Sequence, residues 1–129
     1  MKVTNIKISK IREHEAIDPN HLEKVKKMIF RSGFFKEPIV IDKKTLIVLD
    51  GHHRLNSCRK LGLKKIPCLL VNYLKDKKIR VIGRRDNIFV SKNKVIEMGL
   101  SGKVFPHKTT KHRIPNRIKS LKIPIKLLL

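Results

Sequence analysis

The sequence has 129 residues, of which 40% are hydrophobic, and it carries a formal net charge of +22 from 32 basic and 10 acidic residues. This hydrophobic content excludes a disordered chain, and no apolar run approaches the roughly 20 residues of a membrane-spanning helix. We expect one domain over residues 1–129, ending in a basic segment at about 103–129. Because the N-terminus lacks the apolar core of a signal peptide, we expect the protein in the cytoplasm.

The first third of the chain predicts a strand followed by a helix. Apolar and polar residues alternate over 3–8, which indicates a half-buried strand, and a loop follows over 12–17. Asp18 is a favoured N-cap and Pro19 fits the first helical position, so we expect the helix to begin there. Apolar residues at helical spacing continue it to Gly33, a residue typical of the left-handed position that ends helices.

The central part predicts a hairpin, a second helix and two further strands. Lys43 and Lys44 form the turn of the hairpin, and Asp50-Gly51 closes its second strand. The expected strands are 38–42, 46–49, 66–73 and a weaker one at 79–82, and the expected helix is 52–61, capped by Gly62.

The last part of the chain predicts a helix over 92–98 that ends at Gly99, and then irregular structure up to 121–125. Pro124 favours an edge strand or an extended arm there. The apolar end, 127–129, packs either on the chain's own sheet or on a second subunit of a dimer. Together these elements predict an α+β domain with a small mixed sheet and a few short helices.

The two cysteines, Cys58 and Cys68, lie in apolar surroundings. Two cysteines form neither a disulfide framework nor a zinc site, so we predict reduced thiols in the core.

The strongest site signal is the segment Asp50-Gly51-His52-His53-Arg54, between a hydrophobic strand and a helix. Gly51 permits a tight turn, and the free N–H groups of a helix start favour a phosphate. Arg54 adds a planar fork suited to phosphate. Basic residues at a helix N-terminus oppose the helix dipole, a conflict typical of functional sites. The alternative is a capped helix with solvated histidines.

Two weaker signals lie far apart in the sequence. In the segment Lys108-Thr109-Thr110-Lys111-His112, two hydroxyl donors stand between basic residues, so it is either an anion site or an ordinary basic loop. His14-Glu15 precedes the first helix, and Glu15 is either a general base or a surface carboxylate.

These motifs resemble the family with the ParB-like/sulfiredoxin fold. The resemblance rests on Asp50-Gly51-His52-His53-Arg54 together with Ser32-Gly33, Pro38-Ile39 and Leu61-Gly62. It implies a strand–loop–helix element that holds nucleotide phosphates. Sulfiredoxins carry a catalytic cysteine where this chain has His52, so sulfinic-acid repair is not expected. We also expect these 129 residues to lack the added DNA-reading domain of the partition proteins.

Within that fold the chain is most similar to the free L-serine kinases, which have all three motifs in the same order. The similarity implies phosphorylation of the serine hydroxyl with ADP or ATP and Mg²⁺. Glu15 would accept the hydroxyl proton, and Asp50 would position Mg²⁺ or the hydroxyl. The implied nucleotide and phosphate ligands are Gly51, His52, His53, Arg54, Lys108, Thr109 and Thr110. The implied substrate ligands are His14, Lys111 and His112.

The chain also departs from the kinase pattern. Lys111 replaces an arginine, His107 replaces a proline, and the tryptophan that relatives place near the serine pocket is absent. Two other functions therefore stay open: a ParB-like protein that binds DNA in a nucleotide-dependent way, for partition or as a nuclease, and a nucleotide-sensing regulator without turnover. The positive charge favours the first, although lysine-rich sequences are also typical of heat-loving organisms.

Overall fold

The computed structural model describes residues 2–129. Its helices are α1 (Pro19–Ser32), α2 (His52–Lys60) and α3 (Lys92–Ser101). Its strands are β1 (Val3–Lys7), β2 (Phe34–Phe35), β3 (Ile39–Asp42), β4 (Val48–Asp50), β5 (Lys65–Val71), β6 (Arg80–Gly83), β7 (Thr110–Arg113) and β8 (Ile123–Pro124). Short 3₁₀ helices cover Ile8–Lys10 and Ile125–Leu128.

The main sheet has four strands in the order β1-β5-β3-β4. β5 is antiparallel to β1 and parallel to β3, and β4 is antiparallel to β3. This confirms the expected α+β class with a mixed sheet. Because side chains alternate along a strand, β3 sends Ile39 and Ile41 into the core beneath α1 and α2, and Val40 into a second core shared with α3.

The ends of α1 follow the predicted capping. The Asp18 side chain accepts a hydrogen bond from the Asn20 N–H at 3.0 Å, and Gly33 has the positive φ of +74° that suits glycine. These local signals fix the direction in which the loop before α1 enters the fold.

The C-terminal half differs from the expectation at two places. α3 continues through Gly99 to Ser101. Glycine is needed within the helix because an added Cβ at Gly99 would lie 2.6 Å from Cδ1 of Ile47. The segment expected to be irregular contains β7, which pairs with β6 in the register Gly83↔Thr110. The basic motif at 108–112 is therefore largely a strand.

The chain end packs on its own core. β8 pairs with β2, which places Pro124 on an edge strand as expected, and Leu128 is fully buried. Both cysteines are free and buried, as predicted, and burial raises the pKa of each thiol to about 12. Among residues 2–129, every helix is too short and too polar to cross a membrane.

Candidate active site

An open cleft of about 1090 Å³ lies between α1, the start of α2 and β7. Ten of the twelve predicted site residues line it, which means that the three sequence motifs meet in space. The other two, His14 and Thr109, are fully buried behind its wall. The expected contact between His14 and the substrate therefore does not fit this placement. The Thr109 hydroxyl donates a hydrogen bond to the Pro106 carbonyl.

The turn into α2 requires glycine. Gly51 has φ of +116°, and a Cβ on it would lie 2.4 Å from Cγ2 of Ile39. Within the described residues, no side chain caps the N-terminus of α2. The N–H groups of its first turn, which lack intrahelical acceptors, therefore face the cleft and form an anion-binding position.

His52 and His53 attach the Glu15 loop to α2. Nε2 of His52 accepts the backbone N–H of His14 at 3.2 Å, and Nε2 of His53 accepts that of Asp18 at 2.9 Å. Burial lowers the pKa of both histidines, which favours the neutral rings that can accept these bonds. Their Nε2 atoms are thus occupied and unavailable to a phosphate, so both rings position the loop.

Arg54 and Asp50 belong to a four-membered ionic cluster with Glu37 and Arg117. Arg117 binds Asp50 and contacts Glu37 at 3.0 Å, while Arg54 contacts Asp50 at 3.3 Å and Glu37 at 3.4 Å. Arg54 also donates to the carbonyls of Glu37 and Pro38. Its guanidinium group therefore fixes the segment before β3, and these contacts leave fewer of its five N–H donors for the expected phosphate.

The same cluster decides whether Asp50 suits Mg²⁺. Its Oδ2 atom already contacts two guanidinium groups, and residues 2–129 contain no group of three or more His, Cys, Asp or Glu side chains arranged for a metal. Such a group is not required for Mg²⁺, which is usually bound by one or two carboxylates together with substrate phosphates and water. The Oδ1 atom of Asp50 has no hydrogen bond or ion pair among the described residues, so one oxygen remains for the expected contact with Mg²⁺.

Glu15 is held in a fixed position on the cleft wall. Its Oε1 atom accepts the backbone N–H and the hydroxyl of Thr110, both at 2.7 Å. Its loop is bound to Phe105 by two backbone hydrogen bonds of 2.8 Å, made by the residues on either side of Glu15. A half-buried carboxylate with one oxygen oriented in this way can present the other to a ligand.

His112 lies two residues after Thr110 on β7 and therefore on the same face of the strand, where its ring is 5.6 Å from that of His14. Its Nε2 atom is 2.9 Å from the hydroxyl of Tyr73, and its buried Nδ1 atom has no hydrogen-bond partner in the described structure. Burial lowers the pKa of His112 to about 3, so the ring is neutral near pH 7. Because the Tyr73 hydroxyl has no other partner among the described residues, it donates to Nε2, and the ring hydrogen is then on the buried Nδ1 atom.

Basic side chains without an ion-pair partner in the described part of the chain complete the cleft: Lys24, Lys36, Arg84, Lys108 and Lys111. Lys108 has φ of +56°, a strained conformation for a lysine. Arg85 holds the loop in this form by donating to the carbonyl of His107 at 2.6 Å. The arrangement is suited to a ligand with several negative charges.

Sequence reasoning missed Glu37, Tyr73 and Arg117. The acid-free composition after Glu97 marked Arg117 only as part of a basic segment. Its pairing with Asp50 joins positions 67 residues apart, and no local pattern reports such a contact.

The fold and the cleft define an α+β protein with an anion-accepting turn beside an oriented carboxylate. A profile of the ParB N-terminal domain family matches residues 1–88, and the chain belongs to this family. A protein of Staphylothermus marinus described as an ATP-dependent L-serine kinase is 33% identical over 98 residues, which are 71% of this chain and 38% of the relative. An ADP-dependent L-serine kinase of Thermococcus kodakarensis is 31% identical over 75 residues. The alignment spans 55% of this chain and 31% of that relative.

Solved structures share the fold at low sequence identity. A free serine kinase in complex with AMP is 15% identical and has a TM-score of 0.87, covering 98% of this chain and 93% of the other. A conserved hypothetical protein from Pyrococcus furiosus is 16% identical, with a TM-score of 0.89 over 100% of this chain and 98% of the other.

Proposed function

We propose that the protein transfers the terminal phosphoryl group of ADP or ATP to the hydroxyl group of free L-serine. The observation that carries the proposal is the position of Glu15, which Thr110 holds on the wall of a cleft whose other wall is the uncapped start of α2. The L-serine kinases similar in sequence, and the serine kinase with AMP that shares the fold, support this reaction.

The nucleotide phosphates would bind at the turn Gly51–His53, where backbone N–H groups are free. Lys108 and Lys111 would neutralise the phosphate charge at the opposite wall. Apolar side chains from the second half of α1 and from β2 line the same cleft and give the nucleoside a surface for packing: Val25, Met28, Ile29, Phe34 and Phe35.

The acceptor hydroxyl would lie against Glu15. Its oxygen forms a bond to the terminal phosphorus, the bond from that phosphorus to the bridging oxygen breaks, and the hydroxyl proton passes to the free carboxylate oxygen of Glu15. The leaving group is AMP from ADP, or ADP from ATP. His112 lines the same cleft and would contact the amino acid.

The test is transfer of labelled phosphate from ADP or ATP, with Mg²⁺ present, to serine, other small hydroxyl compounds and DNA. Glu15→Gln keeps the shape and removes the base, so we expect at least a hundredfold loss of rate, at the lower end of the ~10²–10⁴ typical of general bases. Nucleotide binding should persist. Glu13→Gln is the matched control, because Glu13 pairs with Arg59 and Asn56 outside the cleft. Absence of transfer by the unaltered protein to any small hydroxyl compound would overturn the proposal.

A second candidate function, sequence-indifferent binding of nucleic acid, is favoured by the outer face of β6 and β7. Arg80 lies directly opposite Arg113 there, and both are exposed. Like charges placed opposite each other are unfavourable without an anion. We expect binding to duplex DNA that weakens steeply between low and physiological salt. A preference for one duplex sequence that persists at physiological salt would instead indicate a partition protein.

A further inference from the structure

Three polar atoms form a line from the cleft into the core. Oε1 of Glu15 lies 2.7 Å from Oγ1 of Thr110, which in turn lies 3.1 Å from Nε2 of His14. His14 is fully buried and does not reach the cleft. The proposed phosphoryl transfer uses Glu15 and leaves this connection unexplained.

The hydrogens along this line can be counted. Nδ1 of His14 lies 2.8 Å from the carbonyl oxygen of Val48, which only accepts, so Nδ1 carries a hydrogen. Burial lowers the pKa of His14 to about 4, and the ring is therefore neutral near pH 7. Nε2 is then an acceptor, and Thr110 has one hydroxyl hydrogen for the two acceptors on either side of it.

That hydrogen has a different best partner in each state of Glu15. With Glu15 ionised, the hydroxyl donates to the carboxylate, and a lone pair of Nε2 faces a lone pair of Oγ1. After Glu15 takes up a proton on its other oxygen, Oε1 becomes a weaker acceptor and the hydroxyl hydrogen can turn to Nε2. The protonated state therefore satisfies Nε2, and the ionised state does not.

We propose that Thr110 and His14 form a positioning pair for Glu15, in which the second acceptor on His14 limits the hydrogen bonding that is lost when Glu15 takes up a proton during phosphoryl transfer. The pair rests on the proposed function and adds no chemical step to it. The serine proton goes to Glu15, and the hydrogen of Thr110 only rotates about its C–O bond. Neither residue of the pair transfers a proton to the substrate.

The groups around His14 are compatible with this assignment. Its ring meets those of His52 and His112 edge to face, at centroid distances of 4.6 and 5.6 Å, and that of Phe105 at 6.4 Å. Burial lowers the pKa of both neighbouring histidines, so they are uncharged near pH 7. The ionisable group joined to His14 through Thr110 is Glu15.

The test compares Thr110→Val with Thr110→Ser, because valine removes only the hydroxyl and serine keeps it. Both variants retain the backbone N–H that binds Glu15. For Thr110→Val we expect kcat to fall about three- to tenfold, the effect of one neutral hydrogen bond, with an unchanged KM for the nucleotide. The acidic limb of the pH–rate profile should move to higher pH, because ionised Glu15 loses a charge-assisted hydrogen bond. Thr110→Ser should restore both.

His14→Asn tests the other end of the line. Asparagine can keep the bond to Val48 but places no acceptor where Nε2 of His14 lies. Proton uptake by Glu15 then leaves the Thr110 hydroxyl without a second acceptor, so we expect the acidic limb to move to lower pH, opposite to Thr110→Val. Combined with Thr110→Val it should add nothing, because the connection is already broken. Thr45→Val is the matched control, since Thr45 binds Asp42 through the same two groups, backbone N–H and hydroxyl, away from the cleft.

Identical pH–rate profiles for Thr110→Val and Thr110→Ser would overturn the pair even if serine phosphorylation is established. Nitrogen NMR of the His14 ring gives a readout that needs no turnover. We expect the tautomer protonated at Nδ1, and an Nε2 signal that responds to acidification in the unaltered protein and in Thr110→Ser but not in Thr110→Val. An Nε2-protonated tautomer, or an unresponsive signal, would also overturn it, whether or not the protein is a kinase.

Discussion

Three neighbouring histidines, the buried His14 and His52 and the half-buried His112, make folding stability depend on pH between 5 and 7. Burial lowers the pKa of all three, to about 4 for His14 and about 3 for His112. In the unfolded chain a histidine takes up a proton near pH 6.5. The unfolded state therefore binds more protons than the folded state in this range, and acidification lowers the free energy of unfolding.

The contribution of His14 can be worked out because the side chain is fully buried. Between its unfolded pKa of about 6.5 and its folded pKa of about 4, each pH unit costs about 1.4 kcal/mol. At pH 5 the loss relative to pH 7 is about 2 kcal/mol, a large part of the roughly 5–15 kcal/mol that stabilises a domain. His52 and His112 act in the same direction.

The assay is urea denaturation between pH 7 and pH 5, a window above the ordinary titration of carboxyl groups. We expect stability to fall with acidification, and His14→Asn to reduce the slope by close to one proton. The reasoning is refuted if the variant keeps the full slope, because His14 would then not be the neutral buried group that the structure shows. A slope that is flat in the unaltered protein would refute the neutral state of the whole cluster.

Two further substitutions test packing and the ionic cluster. Gly99→Ala should lower the free energy of unfolding by about 1–3 kcal/mol although alanine favours helices, because its Cβ would overlap Ile47. The control is Leu100→Ala at the exposed neighbouring position, which should change the free energy of unfolding by less than about 0.5 kcal/mol in the same denaturation experiment. Arg117→Met should cost about 2 kcal/mol or more, because Asp50 loses its closest guanidinium partner. Adding Asp50→Asn should recover part of that loss, and a double variant no more stable than the single one would contradict the assignment.

The predicted elements are accurate where a local residue determines them. Asp18 and Gly33 delimit α1, and Gly51 opens α2, because capping and positive φ act within a few residues. β7 was missed because its residues are polar and its strand form depends on pairing with β6, about 30 residues earlier. The prediction that the helix ends at Gly99 was wrong, because glycine is needed there for a close contact with Ile47 that no helical pattern indicates.

The same distinction between local and distant causes applies to the residues of the candidate site. The sequence identified the segment around Gly51 and the carboxylate Glu15, since residue type and spacing carry that chemistry. It did not show that His52, His53 and Arg54 are already engaged by distant partners. These side chains were expected to bind phosphate directly, but their observed contacts fix the backbone around the anion position.

The neutral histidines give a physical reason for the distribution of charge in the cleft. A cation placed directly against a general base would stabilise its ionised form and weaken it as a proton acceptor. The side chain that binds Glu15 is that of Thr110, and the His14 ring behind it is uncharged, while the basic side chains of Lys108 and Lys111 line the same cleft without an ion-pair partner among the described residues. In this chain of charge +22, unpaired cationic side chains thus line the cleft in which a polyphosphate would bind. The burial that makes the histidines uncharged is also what makes the fold sensitive to acid.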